Sequence, residues 1–171
     1  MNKRRIIDLI SLSLIVILFF VSFEVIKQNK ELKQELDQEY FQFIRDTEYA
    51  LRSMEDINSD EITNNDYASQ YLYDQIRQIE DASVTFMLLD NDLKKLGSIL
   101  SDISYYQRML FNQEELSEAE IAANKERVRT LVFLFQDISL AGDGQTNWYD
   151  VLHEEDSPLI PLMETRLKYI E

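Results

Sequence analysis

Cysteine is absent from the 171 residues, which excludes disulfides, zinc–thiolate sites and iron–sulfur clusters. Glycine occurs three times and proline twice, far below ordinary usage, so the chain has little with which to punctuate strands. Long helices are the expectation. A single histidine, His153, excludes any histidine cluster or histidine-based metal triad. Nucleophile signatures of the G-x-S-x-G kind and phosphate loops of the G-x-x-x-x-G-K-[ST] kind are missing, and carboxylates are too plentiful for any pair to stand out. No enzyme, catalytic residue, cofactor or metal site is expected.

Positive charge is scarce outside the N-terminal stretch. The whole chain carries −15; residues 1–30 contribute +3, which leaves −18 for residues 31–171. A domain that acidic is repelled by nucleic-acid phosphates and anionic lipid headgroups, so no nucleic-acid partner is expected.

One long apolar run is present. Residues 6–26 would span about 30 Å as a helix, roughly one hydrocarbon core. Asp8 and Glu24 sit near its two ends. The exit lacks the small-residue pair that a cleaved signal peptide requires, which favours an uncleaved transmembrane signal anchor held by membrane lipid. Lys3, Arg4 and Arg5 favour a cytoplasmic N-terminus, although Lys27, Lys30 and Lys33 nearly balance them. A five-residue tail is awkward to translocate, whereas a long C-terminal domain crosses largely regardless of charge. The expected layout is a cytoplasmic tail at 1–5, a single-pass anchor at 6–26, an extracytoplasmic four-helix bundle over 27–140, and a loop with a C-terminal helix over 141–171.

The fold class expected of the outer part is all-α, an antiparallel up-down bundle of four helices plus a short C-terminal helix. Leu36, Phe43, Ala50 and Ile57 recur every seven residues, interleaved by Tyr40, Thr47 and Met54 and widened by Ile44 and Leu51. This first amphipathic helix continues from the anchor and ends at Asn58-Ser59-Asp60. Over 66–112, Leu72, Ile79, Phe86, Leu93 and Leu100 keep one phase, as a single helix of about 70 Å would. A return leg of that length would strike the bilayer or project past it, so a break at Asp90-Asn91-Asp92, all cap and turn formers, is expected. One unbroken helix is the alternative, because no glycine or proline enforces the break.

Ser117 and Glu120 have capping-box spacing before a helix over 118–140, whose seam is Ile121, Val128, Leu131, Phe135 and Ile138. Gly142 and Gly144 stop it. Ser157-Pro158 then reads as N-cap and first residue of a last helix through Ile170, with Met163, Leu167 and Ile170 inward. The fourth leg and the segment 141–157 would lie at the membrane end, where Trp148 and Tyr149 suit an interface or pack against the bundle base.

Candidate ligand positions have ordinary readings beside them. The acidic run around His153, from Asp150 to Asp156, could meet a divalent cation or be a solvated loop. Asp143, Gln145, Asn147 and Glu154 fall in a calcium-loop register, but Trp148 stands where that loop requires glycine. Tyr67, Tyr71, Tyr105 and Tyr106 could line a pocket or pack between helices.

Over residues 6–140 the layout resembles bacterial chemoreceptor and sensor-kinase input domains, in architecture and without a shared motif. That resemblance implies a last bundle helix feeding a second span, and nothing after Ala141-Gly142 is apolar for long enough to cross. The expected function is therefore a non-enzymatic, membrane-tethered interaction or accessory module with a protein partner outside the cytoplasm, a homodimer included. The alternative is a sensor-like bundle that binds a small molecule or cation.

Overall fold

Residues 3–56 contain no glycine or proline, and after the apolar run and a polar stretch residues 39–56 carry apolar side chains at helical spacing. In the computed structural model this produces one helix, α1 (Lys3–Asp56), which is 54 residues and about 80 Å long. The structure describes residues 3–56, 66–112, 114, 116–141 and 147–168, with the side chains of residues 3–14, 16, 56 and 66 excepted. All regular structure among them is helical: α2 (Asp66–Met87), α3 (Lys94–Phe111), α4 (Glu118–Ala141), α5 (Trp148–His153) and α6 (Leu159–Leu167) follow α1.

The break expected near Asp90-Asn91-Asp92 is present, between Met87 and Lys94. The apolar phase survives it, since Leu72, Ile79, Phe86, Leu93 and Leu100 are all buried. Residue pairs across the helix contacts run in opposite directions, which makes the neighbours antiparallel. Phe43 meets Phe86 while Ser53 meets Tyr71 between α1 and α2. Ser83 meets Gly97 while Tyr73 meets Phe111 between α2 and α3. Ser139 reaches Glu48 while Arg129 reaches Glu55 between α4 and α1. The bundle is uneven: α2 and α3 form the closest hairpin, α1 packs on α2 and α4, and α3 touches α4 least.

Three details depart from the expected seams. Ile44 and Leu51, expected at the edge of the α1 stripe, are wholly buried at its centre, because α1 is wedged between two neighbours and presents a wider face. Ile121 is exposed, and Asn124, Thr130, Val132 and Leu134 are buried in α4 instead. The expected loop 141–157 holds a further short helix, α5, packed on α1. Ser117 and Glu120 form the capping box as expected: Ser117 N donates to Glu120 Oε2 at 2.8 Å, and Glu120 N to Ser117 Oγ at 3.3 Å. The last helix starts one residue later than expected, with Pro158 and not Ser157 at its N-cap position; Ser157 Oγ accepts from Leu159 N at 3.3 Å in the preceding turn, and Met163 and Leu167 point into the core. Asn58-Ser59-Asp60, Gly142, Gly144 and Ile170 lie outside the described residues.

Among the described residues no helix is long and apolar enough to cross a membrane. The expected span, 6–26, falls in large part on side chains outside that set. Its described portion is apolar on every side of the helix and uncovered: Ile15, Ile17, Leu18, Phe19, Phe20, Val21, Phe23, Val25 and Ile26 are between 49% and 69% exposed. Residues 27–35 are exposed as well, and burial begins at Leu36.

The α2–α3 hairpin depends on one glycine. A Cβ at Gly97 would stand 2.6 Å from Met87 Cγ, 2.7 Å from Met87 N and 2.7 Å from Ser83 O, two of which are backbone atoms that cannot step aside. The same approach lets Ser83 Oγ donate to Gly97 O at 2.9 Å. In an exposed helix interior Gly→Ala stabilises by about 1 kcal/mol. Here Gly97→Ala is expected to destabilise by about 2 kcal/mol through overpacking, read as a lowered urea midpoint; an unchanged or raised midpoint would mean the helices are not this close.

Candidate functional site

The base of the bundle gathers three segments far apart in sequence. Asn91, in the turn between α2 and α3, is buried and uses both amide protons on α5: its Nδ2 donates to Leu152 O at 2.7 Å and to Glu154 O at 2.8 Å. Its Oδ1 accepts from Leu93 N at 3.0 Å, an Asx turn. The Asp90-Asn91-Asp92 triad therefore acts differently from a helix cap, since no side chain caps α3. From the other side, Asp37 on α1 accepts from Tyr149 N at 2.9 Å, and Lys33 Nζ donates to both Asp150 oxygens at 3.1 and 3.0 Å. Trp148 is buried against Phe41 of α1, so its role is core packing and not an interfacial anchor.

His153 lies in this cluster. Its ring stacks on Tyr149, centroids 4.3 Å apart and planes 16° from parallel, and meets Tyr40 edge-on at 5.4 Å. Its Nδ1 is 2.8 Å from Tyr149 O. Burial, followed by the neighbouring Tyr149 and Glu39, raises the Tyr40 phenol above its ordinary value. Asp150 is committed to Lys33 and Asn147, and both hydrogen bonds, Lys33 first, hold its carboxyl below the usual range. Among the described residues no group of three or more His, Cys, Asp or Glu side chains is placed to hold a metal. Of the calcium-loop register, Asp143 and Gln145 lie outside the described residues.

The tyrosines do not converge. Tyr71 OH donates to Tyr49 OH at 3.2 Å and shares a hydrogen bond with Ser53 Oγ at 2.9 Å, bridging α1 and α2 at the surface. Tyr67 and Tyr105 are exposed, and Tyr106 lies beneath Arg127.

One open cavity that no sequence pattern announced lies between α1 and α2. It holds about 550 Å³ and is lined by Phe43, Thr47 and Ala82 at its floor, with Gln38, Glu39, Gln42 and Asp46 from α1 and Gln78 and Asp81 from α2. Gln42 Nε2 donates to Asp46 Oδ1 at 2.6 Å. A sequence signal existed: small Ala82 faces a helix rich in long polar side chains, but its significance depends on which helix stands opposite. No family model, no curated protein and no solved structure matches the chain.

Asn91→Ala leaves two buried carbonyls and one amide without their partner, which is expected to cost about 2–4 kcal/mol. Asn91→Asp is expected to cost more at neutral pH, because an ionised carboxylate cannot donate to two carbonyl oxygens. Equal midpoints for wild type and Asn91→Asp in chemical denaturation would contradict this account of the base.

The depressed Asp150 carboxyl gives a pH dependence of defined sign. Its contribution is complete above the unfolded carboxyl value of about 4 and is lost as pH falls through the lower folded value. Acidification below pH 4 should therefore weaken protection of the α5 amides in hydrogen exchange, and Lys33→Ala should remove the part of that dependence due to Asp150. An acid response of α5 unchanged in Lys33→Ala would show that the pair does not govern it.

Proposed function

We propose that the chain is a single-pass membrane protein in which residues 6–26 cross the bilayer and the acidic helical bundle is presented outside the cytoplasm as a non-enzymatic interaction module. The observation that carries this reading is the uncovered apolar end of α1. Nine large apolar side chains between Ile15 and Ile26 surround the helix, each about half or more exposed, with none of them covered among the described residues. Each would cost roughly 1.5–3 kcal/mol to leave in water, a total that rivals the stability of a whole domain. A helix apolar all round belongs in hydrocarbon or in a large core, and its own bundle begins ten residues further on, at Leu36. The basic Lys3-Arg4-Arg5 tail supports a cytoplasmic N-terminus.

The interaction-module reading is supported by what the bundle offers. Buried polar groups such as Asn91 and Ser83 are spent on structure, Gln75 Oε1 and Asn124 Oδ1 being buried without a partner, and its cavity is an open trough along two helices. A trough of that shape suits an elongated protein partner better than an enclosed small molecule.

Membranes washed in alkaline carbonate should retain the full chain, and a chain lacking residues 1–26 should appear in the supernatant. Release of the full chain would remove the anchor. A phosphatase fused to the C-terminus should be active and a cytoplasm-dependent reporter inactive there; the reverse pattern would invert the topology. Crosslinking of the full chain in its native membrane should give a discrete adduct above the monomer, and monomer alone under several chemistries would sink the partner.

A further inference from the structure

We propose that the trough between α1 and α2 is the docking site of this module and that its occupant is a basic amphipathic helix of the partner protein; this rests on the interaction-module reading. The trough has the two properties such a ligand needs. Its floor is apolar, formed by Phe43 and Ala82, and the hydroxyl of Thr47 beside them is already donated to Phe43 O at 2.8 Å. Its walls carry Glu39 and Asp46 on one side and Asp81 on the other, with no lysine or arginine among the lining residues.

Most carboxylates of this acidic bundle, these three included, have no ion pair among the described residues, and a minority do. Glu48, Glu55, Glu80, Asp92, Asp137 and Asp150 each have a lysine or arginine within 4 Å. Glu39, Asp46 and Asp81 make no ion pair among the described residues, so the trough keeps an uncompensated negative field over a greasy floor. Charge complementarity of this kind favours a cationic partner and disfavours acidic ones, a second copy of this −18 bundle among them.

Contacts on either side of the trough join its two helices. Above the trough the Tyr71 hydroxyl ties α2 to Ser53 and Tyr49 of α1, and behind it the Phe43 and Phe86 rings pack 5.5 Å apart. Residues 38–47 of α1 run about 14 Å, which matches two to three turns of a docked helix. Such a helix would set a leucine-like side chain on the half-buried Phe43 ring, above the buried Ala82, and its lysines or arginines against the two rims.

The test uses the full chain in nanodiscs of zwitterionic lipid and a fluorescent fourteen-residue peptide of leucine and lysine in helical register, read by anisotropy. Saturable binding is expected, weakened about tenfold by Glu39→Lys with Asp81→Lys and less than about twofold by Glu118→Lys with Glu126→Lys, which change net charge equally on α4. Equal losses from the two pairs, or no binding at about 1 mM peptide, would overturn the proposal. So would equal binding of a lysine–serine peptide, which has the charge without the apolar face. A dimer of the chain alone that the Glu39 and Asp81 changes dissolve would assign the trough to a second copy and overturn it too. Crosslinking in the native membrane separates the two levels: an adduct that persists in the Glu39→Lys, Asp81→Lys chain removes this site and leaves the module reading, whereas no adduct from the unaltered chain removes the reading itself.

Discussion

Everything in this molecule depends on α1 remaining one helix while its surroundings change. Its first described part is apolar on all sides, its middle is polar on nearly all sides, and its last twenty residues supply a wall of the bundle core. The middle stretch, 27–35, would be a marginal helix in isolation. It persists because each end extends a helix already formed, so propagation replaces nucleation, and because lysine, glutamine and glutamate dominate it without glycine or proline. One continuous helix joins the apolar segment to the bundle, with no loop between them.

The base of the bundle reinforces that connection. Asn91 binds the α2–α3 turn to α5, and α5 is fastened to α1 by Asp37 and Lys33. Among the described residues Lys33, paired with Asp150, is the point nearest the apolar segment at which a later segment is bonded to α1, about 10 Å along the helix from Ile26. The strong elements of this junction are the buried amide and the aromatic packing of Trp148 on Phe41. The exposed Lys33–Asp150 pair adds direction more than stability.

Much of the fold was legible in the sequence for a physical reason. The leucines and isoleucines of 72–100 hold a seven-residue phase across a turn, and a phase that survives a break reveals the seam but hides the break. Length exposed it, because an unbroken helix had nowhere to go. What stayed hidden depended on neighbours. Ile44 and Leu51 became central only because α1 has helices on two sides. Ile121 is exposed although it keeps the period, while Asn124 one turn later is buried. Helix α5 is six residues long, below the length at which periodicity speaks, although Trp148 and Leu152 at i, i+4 were its signal. The trough was illegible, since it is made of one helix's long polar side chains and another's alanine.

The central proposal is that α1 passes unbroken from lipid into water and then into its own core. It is tested most directly by single spin labels placed one at a time through residues 15–40 of the full chain in lipid nanodiscs, with accessibility to oxygen and to a water-soluble relaxant recorded at each. The account predicts oxygen access at every position from 15 to 26 without a helical period. Water access should follow on nearly all faces from 27 to 35, and a period of 3.6 residues should set in from Leu36. A helical period of protection within 15–26 would place protein on that face, water access there would remove the bilayer, and immobile labels replaced by fast-tumbling ones at 27–35 would break the rod.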